Sequence, residues 1–204
     1  MSGTIKTNLS KFHKKFILFI YFFECQALMF LNNNKYNYVN FEIERVFAGW
    51  FDVSFSFGKD NVVISASDVY GNDGPRMLLE KFSEFYYDKC PQKVIVWDEE
   101  PGNYFIIFNR VENNCSLSIS YSQEAEDKLT QKVRDIIDEV PKSELVDLLD
   151  DWEDLLVVEN IGMEHLLKVM FERFSEFDTK EYENNWMDYP NEQLDNIKNM
   201  MNSK

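Results

Sequence analysis

The chain has 204 residues, 45% of them hydrophobic and 16% aromatic, enough for one sizeable core and too apolar for disorder. With 7 Gly and 5 Pro it is neither collagen-like nor built of linkers. Its 36 acids against 21 bases give a formal charge of −15, which disfavours nucleic acid as a direct ligand, since phosphate binding needs a basic footprint. Such a charge suits a partner that is itself basic, or it serves solubility alone. Cys25, Cys90 and Cys115 are scattered with no CxxC pair, and His13 and His165 are the only histidines. That pattern fits a reduced, cytoplasmic protein without a disulfide framework or a zinc site.

The first 40 residues form an N-terminal apolar segment, read as helical. Lys6, Lys11, Lys14, Lys15 and Lys35 surround the run Phe16–Phe23 and face one acid, Glu24. The run is about half of the roughly 20 residues that span a bilayer. Glu24 and Gln26 interrupt it, and no A-x-A cleavage site follows. No stable membrane span is expected, although a short anchor stays open. A helix packed on the sheet is the favoured reading, and a start at Met29 is the third. Asn32-Asn33-Asn34 ends the segment.

Residues 41–204 read as one α+β domain: an antiparallel sheet of about six strands, one helix inserted mid-sheet, and a helical C-terminal half. Phe41 to Phe47 is the first strand. Phe51, Val53, Phe55 and Phe57 alternate with Asp52, Ser54 and Ser56, which sets one face in the core and the other in water. Gly58 to Asn61 turns the chain, and Val62, Ile64 and Ala66 continue the pattern as a hairpin partner. Pro75 opens a helix whose Leu78, Leu79, Phe82, Phe85 and Tyr86 share one face, with Glu80, Lys81 and Glu84 outward. Val94–Trp97 and Asn103–Phe108 form a second hairpin around the acidic turn Asp98-Glu99-Glu100-Pro101-Gly102. Asn113-Asn114 turns into a strand whose Leu117, Ile119 and Tyr121 alternate with Ser116, Ser118, Ser120 and Ser122, the serines facing solvent.

Beyond Ser122 an acidic helical insertion is expected near residues 124–154. Glu124 to Val140 reads as a helix stopped by Pro141, and Ser143 as the N-cap of the next. Leu155 to Val158 reads as a short strand returning to the sheet. Met163, Leu166, Leu167, Met170, Phe171, Phe174 and Phe177 trace an apolar stripe that belongs to the core. Tyr189-Pro190 precedes a closing helix with Leu194, Ile197 and Met200.

Little in the chain carries catalytic chemistry. Gly71 to Gly74 lacks the spacing of a phosphate loop. His165 sits beside the apolar stripe and reads as a boundary residue rather than a general base. Asp98, Glu99 and Glu100 crowd a strand end, but the next strand brings neither acid nor lysine for a metal-dependent hydrolase. No catalytic residue, metal ligand or cofactor is assigned. The acids Glu144, Asp147, Asp150, Asp151, Glu153 and Asp154 lack the glycine and spacing of a calcium loop. They read either as a solvated helix face or as a docking surface with Trp152 as aromatic anchor.

Four segments resemble the small bacterial immunity proteins that neutralise polymorphic or contact-dependent toxins. They are Gly49-Trp50-Phe51, Pro75-Arg76-Met77-Leu78-Leu79, Glu99-Glu100-Pro101-Gly102, and Tyr182-Glu183-Asn184-Asn185-Trp186 with Tyr189-Pro190. The likeness spans roughly Phe41 to Met201, leaving out the N-terminal segment and treating the acidic stretch as an insertion. It implies an α+β build, a cytosolic location, no enzymatic activity, and tight binding of one toxin domain, expected to be a basic nuclease. The tentative contact set is Glu144, Asp147, Asp150, Asp151, Trp152, Glu153 and Asp154. The alternatives are an acidic adaptor or nucleic-acid mimic binding a basic protein, and, further off, a carboxylate or metal-dependent hydrolase.

Overall fold

Two short loops set the first sheet. Strands β1 (Asn40–Phe47), β2 (Trp50–Phe57) and β3 (Asp60–Ser67) form an antiparallel meander joined by two-residue turns. Such turns need positive φ to match the twist of their strands, and Ala48, Gly49 and Gly58 supply it at 50°, 84° and 64°. Gly49 has a second constraint: a Cβ there would lie 2.6 Å from Asp68 Oδ1. The computed structural model of the chain describes residues 36–71, 73–111 and 114–203. The expected N-terminal helix and its Phe16–Phe23 run lie outside the described residues, as does Asn113 of the expected turn.

The alternation read along β2 holds on its inner face, where Phe51, Val53 and Phe55 are buried. Its outer face departs from expectation. Asp52 and Ser54 are also buried, because the sheet's central strand is flanked by longer side chains: Arg45 Nε donates to Asp52 Oδ2 at 2.7 Å and the Ser54 hydroxyl donates to Glu44.

Helix α1 (Gly74–Tyr87) follows with Pro75 in its first turn. Asp73 caps it, accepting from the Arg76 amide at 3.2 Å. Leu78, Leu79, Phe82 and Phe85 are buried along one face. Gly74 presses on an indole, since a Cβ there would meet the Trp97 ring at 3.0 Å.

Strands β4 (Gln92–Asp98), β5 (Asn103–Val111), β6 (Asn114–Ser122) and β7 (Glu153–Val158) then form a second antiparallel sheet in that order. The expected single sheet of about six strands is therefore replaced, among the described residues, by sheets of three and four strands. The expected helical C-terminal half is likewise interrupted by β7. The physical reason is that a turn and α1 separate β3 from β4, so β4 starts a new ladder. The two inner faces then meet in one core, with the Phe51 and Trp97 rings 6.3 Å apart.

The second sheet is covered on both sides. Ile95, Trp97, Ile106, Phe108, Leu117 and Ile119 join the main core. Val94, Val96, Phe105 and Ile107 point the opposite way, under Ala125, Leu129, Ile137, Leu145 and Leu149. The covering layer is not the long helix expected over 124–140. It breaks into turns at Ala125–Lys128, Gln131–Asp135 and Ile137–Glu139 before α2 (Lys142–Leu148). Thr130 forces one break by capping a new turn, its hydroxyl accepting from the Val133 amide at 3.4 Å. Pro141, not Ser143, stands at the start of α2.

Helix α3 (Met163–Glu176) buries Met163, Leu166, Leu167, Met170 and Phe174, and α4 (Thr179–Asn185) and α5 (Asn191–Asn202) close the chain. Phe51 is the hub of this end, with ring centroids 6.0 Å from Phe174, 5.5 Å from Tyr182 and 5.7 Å from Trp186. From Asn37 onward the chain forms one compact unit. No helix among the described residues is long and apolar enough to cross a membrane.

Candidate binding surface

The acids at the β4–β5 turn are held by the fold. Asp98 is buried, accepts from the Asn103 amide group, and pairs with Arg134 Nη1 at 3.2 Å. Burial pushes the Glu99 carboxyl above its ordinary value, assisted by the nearby charge of Asp52 and opposed by a hydrogen bond to Tyr104. Tyr104 and Tyr121 lie side by side at 5.0 Å, and Gly102 leaves room for them, since a Cβ there would meet Tyr121 Oη and Ser122 O at 2.6 Å. Glu100 is exposed. No group of three metal-ligating side chains is assembled among the described residues.

A serine–lysine contact that the sequence did not suggest lies under the covering layer. Ser118, Ser120 and Ser122, expected in solvent, are buried. Lys142 Nζ is 2.7 Å from Ser118 Oγ and 2.7 Å from Asp154 Oδ1. The Ser120 hydroxyl donates to Asp154 at 2.7 Å, and that of Ser122 to Asp151. A lysine acting as general base must offer a lone pair, whereas Lys142 Nζ donates to Ser118 Oγ and is paired with Asp154 Oδ1. The arrangement is a polar seam that fastens the layer, in which buried hydroxyls are matched to charged partners.

The acidic segment therefore divides. Asp151 accepts from Ser122 and from the amides of Gln123 and Glu124 at 2.7 and 3.2 Å. Burial raises its carboxyl pKa, but these donors hold it below the ordinary range. Asp154 behaves alike through Lys142, Ser120 and Trp152. Trp152 is half-buried, its ring tilted against Phe105 at 4.7 Å, and its indole donates to Asp154 at 2.9 Å. These three belong to the seam. Asp151 and Asp154 are themselves exposed, as are Glu144, Asp147, Asp150 and Glu153, so the two groups differ in their partners and not in exposure. Asp150 is paired to Lys128 at 2.9 Å. Exposed Val146, Leu148 and Val157 accompany them.

The wider surface is strongly negative. Residues 36–204 carry 35 of the acids and 16 of the bases. Among the described residues, Arg45, Arg76, Lys81, Lys93, Lys128, Arg134, Lys142, Lys168 and Arg173 are each in an ion pair. Arg110 donates to the Phe85 carbonyl at 2.7 Å and lies over the Phe85 ring. Lys59, Lys89, Lys132, Lys180 and Lys198 are in no ion pair among the described residues, and the surplus of acids over bases still leaves the net charge carboxylate. His165 packs edge-on to Tyr38 at 4.9 Å.

Three of the four segments that carried the family likeness meet in space. Gly49 N donates to Asn185 O at 2.9 Å. The Trp186 indole donates to Asp73 at 3.3 Å, and Arg76 reaches both Asp73 Oδ2 at 2.8 Å and Asp188 O at 3.1 Å. They lock the first turn of α1 to the Phe51 hub, a structural role. No family model matches the chain, and no similar curated protein or solved structure is found.

Proposed function

We propose that the chain is a cytosolic binding protein of the immunity type, which neutralises one toxin domain by covering a basic face of it. The observation that carries this reading is the charge balance: acids outnumber bases 35 to 16 over residues 36–204, and nine of those bases are already paired with carboxylates of the chain itself. A field of that kind speeds encounter with a basic partner and repels acidic ones. A nuclease must be basic to approach phosphate, so a nuclease toxin is the partner that such a surface fits. The sequence likeness to immunity proteins points the same way. Glu144, Asp147, Asp150 and Glu153 are proposed to contribute to steering, with Asp151, Trp152 and Asp154 supporting them from the seam. The test is co-expression with nuclease toxin domains, taken first from any encoded by the genes neighbouring the chain's. Restored growth of the host supports the reading, and unchanged toxicity with both proteins expressed refutes it. The hydrolase alternative is separated by titrating the chain with Mg²⁺ and Mn²⁺ and assaying nuclease and phosphatase turnover.

A further inference from the structure

The exposed aromatic turn between β1 and β2 lies apart from the acidic segment. Phe47 and Trp50 are directly opposed across the two-residue loop Ala48-Gly49. Phe47 is 61% exposed, and Val69, in the turn after β3, is 67% exposed. Asp68 N donates to Gly49 O at 3.0 Å, which sets Val69 beside the same loop. These are large apolar groups in water, clustered within a few residues of one another, and a cluster of that kind marks a contact site more often than scattered apolar residues do.

The loop is held from behind. Gly49 N donates to Asn185 O at 2.9 Å and Ala48 N to Asn185 Oδ1 at 3.4 Å. Ala48 is kept at φ 50°, a region non-glycine residues seldom occupy. An aromatic group on a fixed loop loses little freedom when it is covered, so its burial counts more fully toward affinity.

The charge around the loop selects the occupant. Glu44, Asp68 and Glu183 lie on the turn's strand, on the residue bonded to Gly49, and on the helix bonded to Gly49. Of the bases in the neighbourhood, Arg45 and Arg76 are occupied by Asp52 at 2.7 Å and Asp73 at 2.8 Å, and Lys180, on the helix of Glu183, is outnumbered by Glu44, Asp68 and Glu183. The field at the patch is negative. A second copy of this chain, at −15, would bring the same sign to it.

We propose that the Phe47–Trp50 turn with Val69 is the apolar anchor of the interface, seated in a recess on a basic protein face whose Lys and Arg side chains meet Glu44, Asp68 and Glu183. The inference rests on the proposed function and deepens it by naming the anchor. Phe47 and Val69 are exposed, so their replacement leaves the core intact.

The test is calorimetric titration of the full chain with the nuclease toxin domain that the co-expression test selects, prepared as an inactive variant. Phe47→Ala, Phe47→Asp and Val69→Asp are compared with wild type and with Met200→Ala on the distant α5. Loss of about 30-fold or more in affinity for the Phe47 variants, as for an aromatic hot spot, with Met200→Ala unchanged, supports the anchor. Shifts of the Ala48 and Val69 methyl resonances on complex formation support it independently of any variant's fold. Wild-type binding with the Phe47 and Val69 variants within about 3-fold of it, well under the hot-spot scale, overturns the anchor and leaves the proposed function standing. Absence of wild-type binding overturns both. A Phe47-dependent dimer of the chain alone in sedimentation overturns it in favour of a second copy.

Discussion

Asp138 joins the covering layer to the second sheet, and its removal can be worked through contact by contact. Its Oδ1 accepts from the Val94 amide at 2.8 Å and lies 3.1 Å from Lys81 Nζ, while Oδ2 lies 3.2 Å from Lys93 Nζ. The three side chains are 28%, 24% and 15% exposed. Solvent screening limits each ion pair to about 0.5–1 kcal/mol, and Lys93 keeps Glu84 at 2.7 Å. Asp138→Asn, which preserves the acceptor for Val94, should therefore cost about 1–2 kcal/mol. Asp138→Ala also orphans the Val94 amide, which adds about 1–3 kcal/mol, for a total of about 2–5. Burial pushes the Asp138 carboxyl up, but the Val94 amide, Lys81 and Lys93 outweigh it and hold the group below the ordinary range. A depressed folded-state pKa gives stability that is present above the unfolded value and lost as pH falls through the folded one. The gap between wild type and Asp138→Asn is thus full at neutral pH and closes on acidification below about pH 4. Urea unfolding at neutral and acid pH measures both. An Asp138→Ala variant within about 0.5 kcal/mol of wild type, well below the expected loss, or a gap indifferent to pH, would refute the reasoning.

Phe105→Ala empties the centre of the layer's own cluster and removes the ring against Trp152, so it should cost about 3–5 kcal/mol in urea unfolding. It should also raise hydrogen exchange in residues 125–149 before it does so around Phe51. Glu99 has the opposite sign to Asp138: its folded-state pKa is raised by burial, so its ionisation weakens the fold. Glu99→Gln should therefore raise the melting temperature at neutral pH, with the gain vanishing as pH falls through that raised value. A gain that persists in acid would point to packing instead. The quadruple change Glu144→Lys, Asp147→Lys, Asp150→Lys and Glu153→Lys should slow association with the toxin domain and shrink its salt dependence. Unchanged kinetics in stopped flow would move the steering charge elsewhere.

The elements were largely legible in the residues, and their layering was not. Alternation in β2 and β3, the Pro75 start of α1 and the stripe of α3 are local signals, and each element lies where its spacing predicts. The consecutive apolar runs Val94–Trp97 and Phe105–Phe108 carried a further message: a strand with no polar face is covered twice. Neighbouring Ser118 and Ser120 share the face of Phe105 and Ile107, so they too had to be covered, although serine alternation alone reads as solvent. The same cover explains why Asp151 and Asp154, although exposed, accept from Ser122 and Ser120 at the edge of the layer, since buried hydroxyls call for partners. Asp151, Trp152 and Asp154 could not be separated from Glu144 and Asp147 by composition, because only the three-dimensional register with β6 distinguishes them. Phe47 was readable as a strand residue. Its exposure depends on the parity set by the bulge between Ile43 and Arg45, which no local pattern reveals.

The most direct measurement is the catalytic rate of the proposed nuclease toxin domain, as selected by co-expression, titrated with the purified chain at low and high salt. Stoichiometric inhibition that weakens as salt rises is the expected result. Full toxin activity at an equimolar or greater amount of the chain would contradict the account.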